Sequence, residues 1–297
     1  MITETYLKEC QERVNKALDE LLPSVNQHPM KLHKAMRYAV FNGGKRIRAA
    51  IIYATGEAFS ANPKVLDKIS ASIELIHAFS LVHDDLPAID NDELRRGKPA
   101  VHKAFDEATA ILAGDALLTL AFEVLTNLDR RHISAENNLK VIELLSHYVG
   151  SRGMAGGEML DVASINHAIS LKKLINIYKM KTSYLICACV LLGAVAANCT
   201  KKDMLNNLEK FGIYAGLAFQ VHDDIIGVEN DTETLGKPQN SDVIHHKPTY
   251  PQILGLNKSK MKRKLFYKKA IYFLKKTHLN HSNKLFDLCQ FVIARNH

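Results

Sequence analysis

Apolar residues along most of this chain recur at intervals of three and four, the spacing that places them on one face of an α-helix. From Val65 through Ile69 and Ile73 to Ile76 the steps are four, four and three, and the pattern continues toward Asp84. Strict apolar–polar alternation over the length of a strand is hard to find. Similar helical patterns cover residues 7–21, 110–128, 139–149, 171–197 and 205–228. The pattern predicts an all-α protein, a single large helical bundle of about ten helices.

Helix-breaking residues are too few to divide the chain into separate units. No Ser- or Gly-rich linker interrupts the sequence, so we expect one all-α domain over residues 1–297. The breakers gather in five segments that we expect to be loops: Pro23–Pro29, Asn42–Gly44, Pro87–Pro99, Gly150–Gly157 and Glu229–Pro251.

One stretch without a charge, Thr182 to Thr200, raises the question of a membrane span. Its apolar part, residues 184–197, is shorter than the roughly 18–20 apolar residues that a span requires. We therefore expect a buried central helix and no membrane span. The N-terminus is polar and contains acidic residues, unlike a signal or transit peptide.

Composition supports a folded intracellular protein. Hydrophobic residues make up 47% of the chain and charged residues 24%, which excludes a disordered chain, a collagen-like fibre and a small disulfide scaffold. The 5 cysteines are an odd number without a CxxC pair, which favours reduced thiols. We expect the protein to be cytoplasmic.

The charge balance points to a polyanionic partner without choosing one. Lys and Arg exceed Asp and Glu by 39 to 31, a formal net charge of +8, which suits nucleic acid, anionic lipid or a phosphate-rich substrate. A basic run over residues 258–276 is most simply a solvated helix face. Nucleic acid is disfavoured because the acidic clusters described next would repel it. The aromatic residues Phe266 and Tyr267 within the basic run are better explained as the buried side of the helix than as base-reading side chains.

The first acidic cluster ends an apolar helix. Five acidic residues fall within ten positions and are followed at once by Arg95 and Arg96: Asp84, Asp85, Asp90, Asp92 and Glu93. Two carboxylates about 4 Å apart repel by roughly 4 kcal/mol at an effective dielectric constant near 20. Mg²⁺ would relieve this repulsion, since it binds a few carboxylates together with phosphate oxygens. The alternative is a solvated acidic loop.

The spacing within this cluster requires a bend. Asp84 and Asp90 are six residues apart, so a regular helix would not bring them to one face. We expect Pro87 to end or kink the helix so that Asp90 folds back toward Asp84.

A second acidic pair ends another apolar helix. Gln220, Asp223 and Asp224 have the i,i+3 and i,i+4 spacing of one helix face. If the two helices lie side by side, the two clusters form opposed walls of one cavity. Metal ions between them would clamp a diphosphate and act as Lewis acid and template.

Basic residues and a histidine accompany the acidic clusters. Lys45 and Arg48 follow the Gly43–Gly44 turn, and Lys181 opens the predicted buried helix, where an uncompensated ammonium would be costly. His77 lies two turns before Asp84. Taken singly, each has a simpler interpretation: a glycine helix cap beside surface charges, a surface lysine, or a core histidine. The same holds for two lysines after the second pair, Lys237 and Lys247.

Taken together, these motifs resemble the trans-prenyltransferases, most closely the bacterial farnesyl diphosphate synthase type. The resemblance covers nearly the whole chain and includes GGKRIR, IELIHAFSLVHDDLPAIDND, ILAGDALLTLAF, MAGGEMLD, YKMKTSYL, FQVHDDI, DTETLGK and KPTYP, in this order. It implies an all-helical homodimer with an active site in the central cavity of each subunit, whose substrates are isopentenyl diphosphate and an allylic diphosphate.

The resemblance also implies residue roles. It assigns Mg²⁺ binding to both aspartate motifs, at Asp84, Asp85, Asp90, Asp223 and Asp224. It assigns the allylic substrate to Arg95, Lys181, Thr182, Gln220, Lys237 and Lys247, of which Lys181, Thr182 and Gln220 would lie beside the reacting carbons. It assigns isopentenyl diphosphate to Lys45, Arg48, His77 and Arg96.

The implied reaction joins isopentenyl diphosphate to dimethylallyl or geranyl diphosphate and yields farnesyl diphosphate. Metal ions and cations withdraw charge from the leaving diphosphate, the allylic C–O bond ionises, and the double bond of isopentenyl diphosphate attacks before a proton is lost. The resemblance places Phe79, five residues before Asp84, at the floor of the cavity, where its ring would limit the product to three isoprene units. The alternative interpretation is that Phe79 is a core residue.

Three positions depart from the family's pattern. The second motif usually reads DDxxD, but its last position here is Gly227, so one carboxylate is missing. Asn91 and Glu158 replace the Asp and Gln common in close relatives. A low-activity or non-catalytic diphosphate-binding protein, or a synthase of another product length, therefore remains the alternative. A terpene cyclase is disfavoured because residues 219–231 contain no NSE-type metal motif.

Overall fold

Helices form almost all of the regular structure, as the apolar spacing predicts. A computed structural model of the protein describes residues 4–229, 247–279 and 283–294. Within them the helices are α1 (Glu4–Leu21), α2 (Met30–Phe41), α3 (Ile47–Ala58), α4 (Pro63–Asp84), α5 (Val101–Ala104), α6 (Glu107–Thr126), α7 (Ala135–Val149), α8 (Met154–Val162), α9 (Leu171–Tyr178), α10 (Tyr184–Ala196), α11 (Lys202–Glu229), α12 (Tyr250–Leu254), α13 (Leu256–Lys275) and α14 (Asn283–Ala294). The all-α prediction is confirmed.

The charge-free helix α10 lies at the centre. Every residue from Leu185 to Ala196 is buried, and the helix packs against α3, α7 and α11. Burial on all sides explains why this helix has no polar face. The prediction of a buried central helix is confirmed.

Within the residues that the structure describes, two segments are long and apolar enough to cross a membrane by length and composition alone. The first runs from Leu171 to Ala196 and includes α10; the second is α6. The first is mostly buried inside the protein, as expected of a core helix. Less than half of α6 is buried, so this helix leaves an apolar face exposed.

Helix α4 carries the first aspartate cluster to its end. Pro63 occupies the first turn, and the Asn62 side chain accepts a hydrogen bond from the backbone N–H of Lys64. The predicted apolar row from Val65 to Ile76 is buried and packs α4 against its neighbours. The helix ends at Asp84, and the backbone N–H of Asp90 donates to the carbonyl of Asp84 at 2.9 Å. The expected return of Asp90 toward Asp84 is confirmed.

Two predicted loops are partly structured. Within Pro87–Pro99, strands β1 (Leu94–Arg95) and β2 (Lys98–Pro99) form a short antiparallel hairpin, whose turn residues Arg96 and Gly97 have φ values of 56° and 75°. The predicted loop Gly150–Gly157 is too long, because α8 begins at Met154.

A π-helical turn, Lys179–Ser183, joins α9 to α10. The apolar pattern predicts one uninterrupted helix there and gives no sign of this turn. Of the predicted loop after α11, residues 230–246 lie outside the described residues, and Lys237 is among them.

Candidate active site

The two aspartate clusters face each other across one cavity of about 200 Å³. Asp84 and Asp90 line one wall at the end of α4, while Asp223 and Asp224 line the other near the end of α11. Further residues of the predicted site also line this cavity: Arg95, Lys181, Gln220 and Lys247. The prediction that both clusters share a cavity is confirmed.

Asp85 lies apart from this shared cavity. It is 2% exposed, and its carboxylate accepts hydrogen bonds from the Arg95 guanidinium, with Nε at 2.9 Å. The second terminal nitrogen of Arg95 also contacts Asp92 at 3.1 Å. Burial raises the pKa of Asp85, and Arg95 opposes that rise. In this arrangement Asp85 fixes the position of Arg95.

Two lysines of the predicted site are held by carboxylates. The Lys181 ammonium lies 2.6 Å from Asp161 and 2.8 Å from Glu158, and the Lys247 ammonium lies 2.6 Å from Asp90 and 3.4 Å from Asp161. Burial alone would lower the pKa of Lys181, but Asp161 and Glu158 raise it. Burial raises the pKa of Asp161, but Lys181 and Lys247 lower it by more, so the pKa lies below its ordinary value.

Asp161 is a site residue that the sequence analysis missed. It bridges the two lysines, yet it was given no role within MAGGEMLD. The i,i+3 spacing of Glu158 and Asp161 on one helix face was the signal that could have found it.

The Asp84 carboxyl has a pKa close to neutral pH. Burial and the nearby Glu158 raise its pKa to about 7, while Lys181 acts in the opposite direction. Without another cation nearby, ionised Asp84 is therefore costly beside Glu158 and Asp90.

The two aspartates of the second motif have different surroundings. Asp224 is buried, and its Oδ2 accepts hydrogen bonds from the Tyr178 hydroxyl at 2.6 Å and the Tyr250 backbone N–H at 2.9 Å. These bonds tie α11 to α9 and α12. Asp223 is half-buried and lines both the acidic cavity and the neighbouring cationic one.

The π-helical turn places polar groups at the junction of the cavities. The Thr182 hydroxyl donates to Gln220 Oε1 at 2.7 Å, and the Gln220 amide approaches Asp224 Oδ1 at 3.4 Å. This turn lies against Gly157, where a Cβ would come within 2.2 Å of the Lys181 backbone nitrogen. Glycine is required there because the two backbones approach so closely.

A cationic cavity of about 830 Å³ contains every residue that the resemblance assigns to isopentenyl diphosphate: Lys45, Arg48, His77 and Arg96. The Gly43–Gly44 turn beside it has φ values of 92° and 113°, which glycine adopts readily. Arg96 donates to the Gly43 carbonyl, and Gln11 of α1 donates to the Gly44 carbonyl at 2.8 Å. Gln11 also lines the cavity, and sequence analysis gave it no role.

Burial and the crowding of cations lower the pKa values of two side chains that line this cavity. Burial, Arg48 and Arg96 lower the pKa of His77, so its imidazole is neutral at pH 7. Burial and the neighbouring Arg46 lower the pKa of Arg96 to about 10. Arg46, which also lines this cavity, forms a buried ion pair with Glu74 at 3.2 Å. The cavity therefore concentrates positive charge where an anion would be stabilised.

An apolar cavity of about 480 Å³ extends from the same junction. The Phe79 ring lines it and packs edge-on against His83, with the ring centres 4.9 Å apart. Met154, Met159 and Leu185 are among its other walls. Lys181 lines both this cavity and the acidic one, while His77 and Thr182 line both this cavity and the cationic one. The three cavities therefore meet.

The donor set at the acidic cavity fits Mg²⁺. Across the part of the chain that the structure describes, no three His, Cys, Asp or Glu side chains are grouped closely enough to hold a metal ion by themselves. Asp84, Asp90 and Asp223 instead present oxygen donors from separate walls. Mg²⁺ is commonly bound in this way, through one or two carboxylates with waters and substrate phosphates completing its octahedron.

The comparisons with known proteins agree with this geometry. The pattern that defines the polyprenyl synthetase family matches residues 29–288. The chain belongs to the polyprenyl synthetase family. It is 42% identical over 290 residues to farnesyl diphosphate synthase of Haemophilus influenzae, and the match covers 97% of each chain.

Solved structures extend the similarity to three dimensions. An apo structure of an FPP/GFPP synthase from Zymomonas mobilis matches with a TM-score of 0.86 and 32% identity over 98% of both chains. A geranyltransferase from Helicobacter pylori, complexed with magnesium and isoprenyl diphosphate, matches with a TM-score of 0.84 and 31% identity over 99% of this chain and 100% of that one. Helix α1, which contributes Gln11, precedes the residues that the polyprenyl synthetase pattern matches.

Proposed function

We propose that this polyprenyl synthetase is a farnesyl diphosphate synthase, a prenyltransferase that condenses isopentenyl diphosphate with dimethylallyl or geranyl diphosphate. The observation that carries the proposal is the meeting of three cavities of different chemistry. The acidic cavity suits a metal-bound diphosphate, the cationic cavity suits a second diphosphate, and the apolar cavity suits a growing hydrocarbon chain. The two substrates together bring two diphosphate groups and one growing hydrocarbon chain, which is one group for each cavity.

Mg²⁺ would be held mainly by Asp84, Asp90 and Asp223, with Asp85 and Asp224 orienting the groups around them. When bound, it neutralises the diphosphate and makes it a better leaving group. We infer more than one ion per site, because Asp84 and Asp223 belong to different walls.

The chain's own cations complete the leaving-group site. Lys181 and Lys247 now contact Glu158, Asp161 and Asp90, and a bound diphosphate would take the place of part of those contacts. The developing negative charge on the leaving diphosphate would then lie beside ammonium groups in a half-buried cavity, where charge stabilisation is strong.

The groups around the allylic carbocation would be neutral dipoles rather than charged side chains. Thr182 and Gln220 present hydroxyl and amide oxygens at the junction of the cavities, and the walls beyond are apolar and exclude water. His77, neutral because its pKa is lowered, adds no positive charge near the carbocation. Lys45, Arg48 and Arg96 would hold the second diphosphate and so position its double bond for attack.

The test is turnover of radiolabelled isopentenyl diphosphate with geranyl diphosphate and Mg²⁺. We expect a C15 product, and we expect Asp84→Asn to lower kcat/KM by at least about a hundredfold. Asp203→Asn, at an exposed position of α11, is the matched control and should retain activity. Absence of product from the wild-type protein would favour the non-catalytic alternative that Gly227 raises.

Product length depends on the end of the apolar cavity. We expect Phe79→Ala to remove the ring that closes it and to yield products longer than C15, as read by chromatography of the dephosphorylated alcohols. Phe59→Ala, which removes a half-buried ring that does not line the cavity, should leave product length unchanged. An unchanged C15 product from Phe79→Ala would assign the floor to another residue.

We also propose a cytoplasmic homodimer built from one domain over residues 1–297. The exposed apolar side chains of α6 support the dimer, with Ile111 44% and Leu112 58% exposed. An apolar helix face of this kind is expected to be covered by a partner. Sedimentation velocity should give a dimer for the wild-type protein and a monomer for Leu112→Lys.

A further inference from the structure

Helix α13 has a charge pattern that the active site does not use. Its 20 residues include eight basic side chains and no acidic one. The whole chain has a formal net charge of +8, so the basic surplus is concentrated in this helix.

The exposed side chains of α13 form three parallel rows. The middle row is apolar and consists of Met261, Leu265 and Tyr272, which are 71%, 42% and 53% exposed. At 3.6 residues per turn, these three positions lie within about 40° of one another around the helix axis. The rows on either side consist of exposed lysines: Lys264, Lys268 and Lys275 on one flank, and Lys258, Lys269 and the C-cap residue Lys276 on the other. We call these three rows the α13 stripe.

The fold holds the stripe outward. Phe266, Ala270 and Leu274 lie on the opposite side of the helix and are buried, and α13 packs against α11. The only arginine of the helix, Arg263, points inward to a 2.8 Å contact with His222. The Lys276 ammonium lies 4.7 Å from the Tyr272 ring centre and so connects a flank to the middle row.

An apolar row between two lysine rows is the arrangement of a helix that lies on a membrane surface. The apolar side chains can enter the headgroup region, while lysines on both sides extend their ammonium groups to lipid phosphates. Buried apolar area and charge attraction then act at the same surface.

Single-stranded nucleic acid fits the stripe less well. Such binding uses stacking aromatics and arginine planes along a groove, whereas the middle row offers one aromatic ring, and Arg263 is turned inward. A convex helix face provides no groove.

We propose that the α13 stripe docks this protein onto anionic phospholipid surfaces. The docking is peripheral and reversible, and neither α13 nor any other helix needs to cross the bilayer. It is independent of the prenyltransferase assignment, because no residue of the stripe lines the acidic, cationic or apolar cavity.

The test is co-sedimentation of the full-length protein with phosphatidylcholine vesicles, with or without phosphatidylglycerol, at low and high salt. We expect binding only to the anionic vesicles, with binding weakened by salt. Each surface lysine contributes about fivefold to such an affinity, so Lys264→Gln/Lys268→Gln/Lys275→Gln should bind at least about tenfold more weakly. Met261→Ser/Leu265→Ser/Tyr272→Ser should also bind more weakly while keeping every charge.

The matched control removes the same charge elsewhere. Lys16→Gln/Lys34→Gln/Lys172→Gln changes three exposed lysines on other helices and should bind vesicles as the wild-type protein does. Turnover without vesicles should be unchanged in all three variants, which separates this proposal from the assignment of the activity.

Two patterns of binding would overturn the assignment of the stripe as the site or of phospholipid as its partner. One is equal loss of vesicle binding in the control and the stripe variants, which would mean nonspecific attraction by net charge. The other is tighter binding to single-stranded RNA than to anionic vesicles, with that RNA binding lost in the lysine variant. Absence of binding to anionic vesicles by the wild-type protein would reject docking altogether.

Discussion

Lys181 illustrates how single residues prepare the site for a charged substrate. Its ammonium is shared between Asp161 and Glu158, and the same Asp161 also contacts Lys247. An ammonium buried without such partners would be costly. These carboxylates therefore stabilise the lysines, and in the function proposed above they would compete with the substrate's diphosphate for them.

Of the two carboxylates that contact Lys181, Glu158 can lose its charge with the smaller change in structure. Glu158→Gln keeps the size of the side chain and leaves Asp161 in contact with Lys181. With one negative charge fewer beside Lys181, we expect the KM for geranyl diphosphate to fall by about threefold. Glu20→Gln, at an exposed position of α1, is the control. A higher KM in Glu158→Gln would mean that Glu158 helps to bind the substrate.

The raised pKa of Asp84 gives a pH dependence with a defined sign. Because its folded pKa of about 7 exceeds the ordinary value of 3.8, the folded chain holds this proton more tightly than the unfolded chain does. Its contribution to the free energy of unfolding therefore decreases as the pH rises between these two values.

Asp84→Asn removes this titration. In EDTA, we expect the melting temperature of Asp84→Asn relative to wild type to increase between about pH 4 and pH 8. Calorimetry at a series of pH values measures this difference, with Asp203→Asn as the exposed control. A difference that does not change with pH would mean that Asp84 titrates in its ordinary range.

At the scale of elements, the sequence predicted the helices better than the details that shape the site. Apolar spacing was sufficient for α4 and α11, and a charge-free apolar run for α10, because burial of apolar surface stabilises a helix within the fold. It could not predict the Lys179–Ser183 π turn, since that turn has the same apolar pattern as the helices around it. The partners of Lys181 were likewise missed, because they depend on how α8 packs against the turn.

Gly157 tests the importance of that packing. A Cβ there would lie 2.2 Å from the backbone nitrogen of Lys181 and 2.7 Å from the Cα of the same residue. These are backbone atoms, so no side-chain rotation can relieve the clash. We expect Gly157→Ala to displace the π turn and to lower kcat by about a hundredfold. Gly227→Ala is the matched helical control, since a Cβ there meets nothing within 4 Å. It should retain activity and gain about 0.5–1 kcal/mol in free energy of unfolding. Equal activity of the two variants would contradict the role assigned to the turn.

At the scale of the whole molecule, distant parts of the chain meet at the cationic cavity. Helix α1 comes from the N-terminus, the Gly43–Gly44 turn follows α2, and Arg96 belongs to the β-hairpin. Sequence motifs identified the turn and Arg96, but Gln11 belongs to no motif. Its role depends on tertiary packing, which places α1 against the turn.

Gln11 therefore provides a test of how this arrangement serves the reaction. Gln11→Met keeps the length of the side chain but removes the N–H that donates to the Gly44 carbonyl. A less firmly held turn positions Lys45 less well. We therefore expect the KM for isopentenyl diphosphate to rise by about three- to tenfold, corresponding to about 0.5–1.5 kcal/mol for one hydrogen bond. The KM for geranyl diphosphate and the melting temperature should change little, because Gln11 does not line the acidic or apolar cavity.

Lys16→Ala, at an exposed position of the same helix, controls for effects on α1 itself. If Gln11→Met raised both KM values together, or lowered the melting temperature in parallel, Gln11 would serve the stability of the fold rather than the position of the turn.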